Sequence, residues 1–346
     1  MKERPATPYL LVDANVVEQN IVRLAEYSVQ TGLGVRPHIK THKSRHVAAM
    51  QLKYGAVGLT VAKLGEAQVM AREVSDLLIA YPLIDQARTE RATRLALHHT
   101  VRVAVDSVAA VDAIGSAARA AAATVGILVD LDVGMHRTGV ATAEQALRLA
   151  QLVDQAAGLR FDGLFCYPGH IVDKADQQAE PLKAVGDALA ETLDLWGQHG
   201  LEAKIVSGGS TPTAFQSHLV PDLTEIRPGT YVMNDMNIVR GGFCSLNDCA
   251  ARIICTVVSD AASGQVIVDA GSKTLTSDRC GSAPDSGHGF VVEYPNAKIT
   301  WLNEEHGMID VTACDARPSI GSQLSIIPNH ICVCFNLQDR FWWQEE

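Results

Sequence analysis

The chain has 346 residues, of which 47% are hydrophobic and 20% charged, as is usual for a soluble globular enzyme with more than one domain. Its formal net charge of −10 argues against nucleic acids and anionic membranes as partners, although backbone amides can still hold a small anion locally. No segment approaches the run of about 18 apolar residues that a membrane-spanning helix needs.

The N-terminal segment and the cysteines indicate the compartment. The segment MKERPATPYLLVDANV lacks the apolar run of a signal peptide. The eight cysteines include no CxxC pair, and in a chain of this length we expect them to be reduced thiols, most of them buried. These features predict a cytoplasmic protein.

From residue 34 onward, short β-branched runs alternate with longer Ala- and Leu-rich runs that have helical spacing. Eight such units over about 200 residues predict parallel βαβ units closed into a (β/α)8 TIM barrel, an α/β fold. An open doubly wound sheet is the alternative, but the GxGxxG that often follows its first strand is absent. The predicted strands span residues 34–39, 58–62, 77–82, 101–106, 125–132, 161–166, 203–208 and 223–232.

The composition changes after about residue 240, where helical runs give way to strand-like runs separated by turn residues. This change predicts a smaller, mainly β C-terminal domain. The strand PYLLVDA (8–14) precedes the barrel and is expected to pair into that domain, and QLSIIPNHICVCF (323–335) is interpreted as its last strand. The predicted domains are therefore a barrel over residues 15–240 and a β domain over residues 1–14 and 241–346.

The stretch RPHIKTHK (36–43) contains two lysines near the end of the first predicted barrel strand. Active sites of these barrels lie at the C-terminal ends of the strands, where a partly desolvated lysine can act as an amine nucleophile and form a Schiff base. Lys40 lies at the strand end and Lys43 just beyond it, so Lys40 is the better candidate. The alternative, usual for an arbitrary pair, is that both lysines are solvated loop residues.

The stretch SGGSTPT (207–213) follows the seventh predicted strand and precedes a short helix. Its two glycines allow a nest of backbone N–H groups, and Ser207, Ser210 and Thr211 add hydroxyls. A phosphate would be bound well there, at a helix N-terminus. A glycine-rich turn followed by a helix cap is an equally good interpretation.

Two further strand ends carry candidate ligand-binding side chains. Arg137, in LDVGMHRTG after the fifth strand, is suited to bind an anionic oxygen or to pair with a neighbouring aspartate. Tyr167, in YPGH after the sixth strand, is suited to hydrogen-bond or stack on a ligand. His170 in the same motif is a candidate general base, with a surface histidine in a turn as the alternative.

The stretch PNHICVCFN (328–336) contains a candidate metal pair. His330 and Cys332 alternate along the predicted strand, so their side chains would point to the same face. Imidazole and thiolate bind Zn²⁺ and other divalent metals, and two protein ligands leave positions for water or substrate. Cys334 is assigned to the core, and a buried histidine beside a buried thiol is the alternative for the pair itself.

A lysine amine, a phosphate nest and an anion-binding arginine at the strand ends of one barrel together suggest pyridoxal 5′-phosphate (PLP) as cofactor. The motifs TPYLLVD, RPHIKTHK, VDLDVGMHRTG, SGGSTPT, EIRPGTYVMND and PNHIC resemble those of the D-threonine aldolase and D-serine dehydratase family. This family belongs to the fold-type III PLP enzymes, which are related to alanine racemase. The resemblance extends from about residue 7 to about residue 336, nearly the whole chain.

The resemblance implies roles for individual residues. Lys40 would carry PLP, and Arg137 would lie near the ring oxygen of the cofactor. The residues implied to hold its phosphate are Ser207, Gly208, Gly209, Ser210, Thr211 and Tyr231.

The same resemblance implies that His330 and Cys332 bind a divalent metal beside the cofactor, and that the protein is a homodimer. Family aldolases often have Asp at the second ligand position, whereas Cys332 is typical of the dehydratases. The softer thiolate favours Zn²⁺ over Mn²⁺ or Mg²⁺.

These features predict a PLP- and metal-dependent lyase acting on small β-hydroxy D-amino acids. Aldol cleavage to glycine and an aldehyde, with His170 as base, is ranked first because the overall similarity lies with the bacterial aldolase branch. The alternative, which Cys332 favours, is D-serine dehydratase-type β-elimination to a 2-oxo acid and ammonia, with Lys40 as base. An amino-acid racemase would need a second base, for which Tyr294 is the only tyrosine after Tyr231, and the β domain argues against a non-catalytic PLP-binding protein.

Overall fold

A computed structural model describes residues 5–345, which divide into two compact units: residues 22–229, and residues 5–21 with 230–345. Its strands are β1 (Tyr9–Asp13), β2 (Gly34–Val35), β3 (Leu59–Val61), β4 (Asp76–Ile79), β5 (Thr100–Val105), β6 (Val125–Leu131), β7 (Leu159–Cys166), β8 (Ile205–Gly208), β9 (Glu225–Ile226), β10 (Ala251–Ser259), β11 (Gln265–Val268), β12 (Phe290–Val291), β13 (Lys298–Leu302), β14 (Gly307–Asp310), β15 (Gln323–Ile327) and β16 (Phe341–Gln344). Its helices are α1 (Ala14–Thr31), α2 (Arg45–Lys53), α3 (Leu64–Met70), α4 (Gln86–Ala96), α5 (Val108–Ala121), α6 (Ala143–Gln155), α7 (Ala179–Gln198), α8 (Met236–Arg240), α9 (Ser272–Leu275) and α10 (Ile331–Asn336). Within residues 5–345, no helix combines the length and the apolar character needed to cross a bilayer.

The parallel strands of the first unit close into a barrel. They pair in the order β2-β9-β8-β7-β6-β5-β4-β3, and a parallel bridge between His38 and Thr60 joins the two ends of this sheet. Every residue of β6 is buried, as expected for a central strand of a parallel sheet covered on both faces. The predicted (β/α)8 TIM barrel is therefore confirmed, and the C-terminal ends of its strands meet at one mouth.

The first and last barrel strands are shorter than predicted. Strand β2 ends at Val35 and β9 at Ile226, because Pro37 and Pro228 have no N–H with which to extend the ladder. Lys40 consequently lies in a 3₁₀ turn after the strand and not at the end of the strand itself.

The second unit is built on a mainly antiparallel sheet, with the strand order β12-β15-β10-β11-β14-β13. Strand β1 pairs antiparallel with β10, as expected from the sequence, and also pairs parallel with β16. The predicted mainly β C-terminal domain is confirmed, whereas β16 was not predicted. The predicted domain limits after residues 14 and 240 stay a prediction.

Residues 328–336 do not continue strand β15. Pro328 cannot donate to the ladder, and helix α10 begins after His330, which is its N-cap residue. The N–H of Ile331 donates to Asp235 Oδ2 at 3.0 Å, which satisfies the first turn of this helix. The prediction that His330 and Cys332 alternate along a strand is therefore wrong.

Gly163 occupies a bulge in β7, where the register against β6 shifts. Its φ is +141°, and a Cβ there would lie 2.0 Å from the Ile205 carbonyl oxygen. We expect Gly163→Ala to lower the free energy of unfolding by about 2–4 kcal/mol, measured by urea denaturation. Gly197→Ala, in open space on α7, is the control and should leave stability unchanged or slightly raised. Equal midpoints for both variants would contradict this prediction.

Candidate active site

A cavity of about 400 Å³ lies at the C-terminal ends of the barrel strands. Cavities that bind small ligands and cofactors are typically about 300–1,000 Å³. Its lining brings together an amine, two guanidinium groups, a buried carboxylate and aromatic rings. The residues that matter most are His38, Lys40, Asp130, Arg137, Tyr167 and Arg227.

The structure separates the two lysines of RPHIKTHK. Lys40 lines the cavity, and within residues 5–345 its ammonium group forms no ion pair. The Lys43 ammonium lies 3.7 Å from Glu66 Oε1, and Lys43 adopts a left-handed backbone conformation with φ of +49°. Lys40 is therefore the amine that is available to a ligand in the cavity.

His38 lies beside Lys40 and is held in the neutral form. Burial lowers its pKa well below the usual value, and the Lys40 ammonium and the Arg227 guanidinium lower it further. Its Nδ1 accepts the Lys40 backbone N–H at 3.4 Å. The imidazole thus orders the turn that carries Lys40 without adding positive charge to the cavity.

Arg137 and Tyr167 come from two neighbouring strand ends and meet in the cavity. The guanidinium carbon of Arg137 lies 4.7 Å from the centroid of the Tyr167 ring, which is a stacking distance. Asp132, an aspartate near Arg137 in the sequence, pairs instead with His136, whose Nδ1 lies 2.7 Å from Asp132 Oδ2. The Arg137 guanidinium is therefore oriented by the tyrosine ring and can contact an anionic ligand.

Arg227 was not predicted as a site residue, although a charge directly after the last barrel strand was a usable signal. It is only 5% exposed, and its guanidinium carbon lies 3.7 Å from the centroid of Phe165. It donates to Ser207 Oγ at 2.7 Å, and Ser207 Oγ donates to Glu225 Oε1 at 2.6 Å. Glu225 in turn accepts from Arg36 Nε at 2.9 Å, so a buried chain of hydrogen bonds runs from Arg36 to the cavity.

The predicted phosphate loop forms a tight turn after β8. Gly209 has a φ of +76°, and the Ser210 N–H donates to Thr213 Oγ1 at 3.0 Å. The fully buried Ser207 hydroxyl is used by Arg227 and Glu225, so that side chain is not directed at a ligand. None of residues 207–211 lines the cavity, and phosphate binding by this loop stays a prediction.

His170 and Tyr231 lie outside the cavity lining. His170 is exposed, and its ring packs on Gly134, where a Cβ would lie 2.9 Å from His170 Nε2. Tyr231 is buried in the 3₁₀ turn Thr230–Val232. A base role for His170 and a phosphate contact for Tyr231 stay predictions.

Asp130 is the buried carboxylate of the cavity, only 5% exposed. Burial raises its pKa to about 7, although a hydrogen bond from Thr138 and the positive charges of Arg227 and Arg137 act in the opposite direction. The Asp130 carboxyl group therefore titrates close to neutral pH.

This pKa predicts a pH-dependent effect of Asp130→Asn on the ligand-free protein. Because the folded-state pKa lies above the usual value, ionisation of Asp130 destabilises the fold, and this effect grows as pH rises through about 7. We expect the variant to gain about 1–3 kcal/mol more stability relative to wild type at pH 8 than at pH 5, measured by urea unfolding. An equal stability difference between the variant and wild type at pH 5 and at pH 8 would contradict the raised pKa of Asp130.

The predicted metal pair, His330 and Cys332, lies in the second unit. The N-terminal end of α10 brings the two side chains together. His330 Nδ1 lies 3.3 Å from Oδ2 of the fully buried Asp235, and the Cys332 thiol is within hydrogen-bond reach of the imidazole. The hydrogen bond to Asp235, followed by that to Cys332, raises the pKa of His330 to about 10. The Thr230 hydroxyl lies 3.6 Å from Cys332 Sγ.

This donor set fits a divalent metal. A carboxylate paired with Nδ1 orients a histidine so that Nε2 faces a metal, an arrangement usual for ligating histidines. With the Cys332 thiolate it provides the nitrogen and sulfur ligands that suit Zn²⁺. Across residues 5–345 there is no cluster of three or more metal-binding side chains, so an ion held by His330 and Cys332 would keep other positions open. Asp235 was not predicted, although its place directly before a helix marks it as an N-cap.

The cavity likewise fits PLP. The Lys40 amine matches the cofactor aldehyde, and the guanidinium groups of Arg137 and Arg227 match its anionic oxygens. Tyr167 presents an aromatic face at the same cavity.

Comparison with known proteins agrees with these fits. Residues 12–236 match the family model described as alanine racemase, N-terminal domain, and residues 250–343 match the model of a putative serine dehydratase domain. The D-threo-3-hydroxyaspartate dehydratase of Delftia sp. (strain HT23) is 33% identical over 94% of this chain and 90% of its own length. The chain belongs to the D-threonine aldolase and D-serine dehydratase family. The predicted family and the predicted class of PLP-dependent lyases are thereby confirmed.

Solved structures of family members are similar over more than nine-tenths of each chain. D-threonine aldolase from Filomicrobium marinum aligns with a TM-score of 0.89 at 30% identity, covering 97% of this chain and 91% of that one. A mutant D-threo-3-hydroxyaspartate dehydratase in the metal-free form aligns with a TM-score of 0.90 at 28% identity, covering 99% and 95% of the two chains.

Proposed function

We propose that this family member is a PLP- and metal-dependent lyase that cleaves β-hydroxy D-amino acids to glycine and an aldehyde. The observation that carries the proposal is the placement of the Lys40 amine in one cavity with Arg137 and Arg227. The names of relatives, which include a D-threonine aldolase from Arthrobacter and a 3-hydroxy-D-aspartate aldolase from Paracoccus denitrificans, support this substrate class.

The residues of the chain have distinct tasks in this reaction. PLP, when bound, supplies the electron sink that allows a bond at the substrate Cα to break. Lys40 holds the cofactor and can accept or return a proton at Cα. Arg137 and Arg227 would bind anionic oxygens, and His330 and Cys332 would hold the divalent metal, whose Lewis acidity would act on the substrate hydroxyl. His170 is proposed to accept the proton of that hydroxyl as the Cα–Cβ bond breaks.

Elimination of the hydroxyl to give a 2-oxo acid and ammonia is the second candidate. Cys332 favours it, because a cysteine at this position resembles the dehydratases, and the Delftia relative is named a dehydratase. In this reaction Lys40 removes the Cα proton and no base is needed for the hydroxyl proton. The exposed position of His170 is compatible with this second route.

Product analysis separates the two reactions. The purified holoenzyme is incubated with D-threonine, D-serine and D-threo-3-hydroxyaspartate, with and without a chelator, and with L-threonine as control. Glycine plus an aldehyde is the expected outcome, and a 2-oxo acid plus ammonia would establish elimination instead. Interconversion of the D and L forms of an amino acid, without turnover of any of these substrates, would overturn the lyase proposal.

Three finer properties belong to the same proposal. Zn²⁺ is favoured by the His330–Cys332 ligand pair, and it is tested by elemental analysis of the purified protein. All cysteines of the chain are free thiols, which supports a cytoplasmic location that imaging of a tagged chain would test. The family resemblance supports a homodimer, to be tested by light scattering after gel filtration.

A further inference from the structure

A second cavity, of about 290 Å³, adjoins the candidate active site. Ala62 and Tyr81 line both cavities, so the two spaces share a wall at the ends of β3 and β4. Lys63, Arg88 and Arg91 line the second cavity, and no carboxylate is among its lining residues. The charged side chains that line the second cavity are therefore all cationic, and its uncharged wall is shared with the active site.

The local structure holds two of these cations in place. Arg88 and Arg91 lie one turn apart on α4, so they lie on the same side of that helix. The guanidinium carbon of Arg88 lies 5.7 Å from the centroid of the Tyr81 ring, and its Nε lies 3.1 Å from Asp85 Oδ2. Arg91 donates to the side-chain oxygen of Gln68. Tyr81 thus links the orientation of Arg88 to the wall shared by the two cavities.

The positive charge of the second cavity is only partly balanced. Within residues 5–345, Lys63 and Arg91 form no ion pair, and Asp85 is the only acid that pairs with Arg88. The nearby Glu66 accepts the N–H groups of Ala62 and Lys63 and pairs with Lys43. This local excess of positive charge contrasts with the net charge of −10 of the whole chain, and it suits an anionic group.

We propose that Lys63, Arg88 and Arg91 form a subsite for an anionic substituent on the substrate Cβ. This inference rests on the proposed lyase function and narrows its substrate class to β-hydroxy D-amino acids with a side-chain carboxylate. A guanidinium binds a carboxylate in two parallel hydrogen bonds, whereas a methyl group or a hydrogen atom would leave the cations without a ligand. We expect kcat/KM for D-threo-3-hydroxyaspartate to exceed that for D-threonine or D-serine by about 10²-fold.

Charge removal in the subsite tests the proposal. In Arg88→Met/Arg91→Met holoenzyme, KM for D-threo-3-hydroxyaspartate should rise by about 10–100-fold, while KM for D-threonine changes by less than about two-fold. Arg94→Met, on the same helix but outside the second cavity, is the matched control and should leave both values unchanged. Arg88→Lys keeps the charge and should retain more of the preference than Arg88→Met.

The outcomes distinguish the subsite from the lyase function. Turnover of D-threonine or D-serine by wild type, without a preference for the dicarboxylic substrate, overturns the subsite and leaves the lyase function standing. Equal changes of KM for both substrate types in the double variant also overturn it. If the double variant does not fold, the comparison of Arg91→Met with Arg88→Lys decides by the same criterion. No turnover of any substrate by wild type overturns the function and the subsite together.

Discussion

Lys40→Ala is expected to abolish the visible absorbance of lysine-bound PLP and to lower turnover by about 10²–10⁴-fold. Lys40 is the lysine that lines the cavity and the proposed anchor of the cofactor, so its loss would remove both the covalent attachment and the group proposed to handle the Cα proton. The measurements are the absorption spectrum of the purified protein with added PLP and the rate of product formation from β-hydroxy D-amino acids.

Lys43→Ala is the matched control for this prediction. Its ammonium group pairs with Glu66 at 3.7 Å and its side chain is 39% exposed, so the variant should keep the absorbance and most of the turnover. If Lys43→Ala alone bleaches the protein, Lys40 is not the residue that carries the cofactor.

If Cys332 is a ligand of the proposed divalent metal, Cys332→Ala is expected to abolish metal binding and to lower turnover to the level of chelator-treated wild type. The loss of a Lewis acid is worth several kcal/mol, which corresponds to about 10²–10⁴-fold in rate. With Cys332 removed, His330 alone remains as a metal ligand, and one imidazole cannot replace the pair. The measurements are metal content per protomer by elemental analysis and the rate with and without chelator.

Cys334→Ala separates this effect from a general disturbance of α10. Cys334 is fully buried in the same helix, and its thiol donates to the Thr274 carbonyl at 3.1 Å. This variant should lose some stability but keep its metal. Full metal content in Cys332→Ala, or loss of metal in Cys334→Ala, would show that the ligand assignment is incorrect.

The barrel was predictable because alternating β-branched and helical runs leave few other ways to bury parallel strands. The limits of β2 and β9 were not, since hydrophobic pattern alone does not say where Pro37 and Pro228 interrupt the ladder. Helix α10 was missed for a related reason. The run ICVCFN is apolar enough for either structure, and the deciding contact comes from Asp235, which is far away in the sequence.

Part of the candidate site could be predicted from the sequence, because residues that follow parallel barrel strands are brought together at one mouth of the barrel. Lys40, Arg137 and Tyr167 each follow a barrel strand, and the structure brings all three into one cavity. The raised pKa of Asp130 and the pairing of Asp235 with His330 depend on burial and on long-range contacts, which no local motif encodes. Motif spacing therefore predicted side chains that the cavity contains, but not the burial of Asp130 or the contact made by Asp235.

The buried chain from Arg36 through Glu225 and Ser207 to Arg227 links the β2–β9 seam of the barrel to the cavity wall. Arg36 and Glu225 cannot be exchanged independently, because loss of Arg36 leaves the buried Glu225 carboxylate without the guanidinium that it pairs with. A lineage that replaces one of them is therefore expected to replace its neighbour as well, so these positions should covary among homologues. In a suppressor screen, second-site revertants of a folding defect at Arg36 should accordingly map to Glu225 and be recognised by recovery of soluble protein.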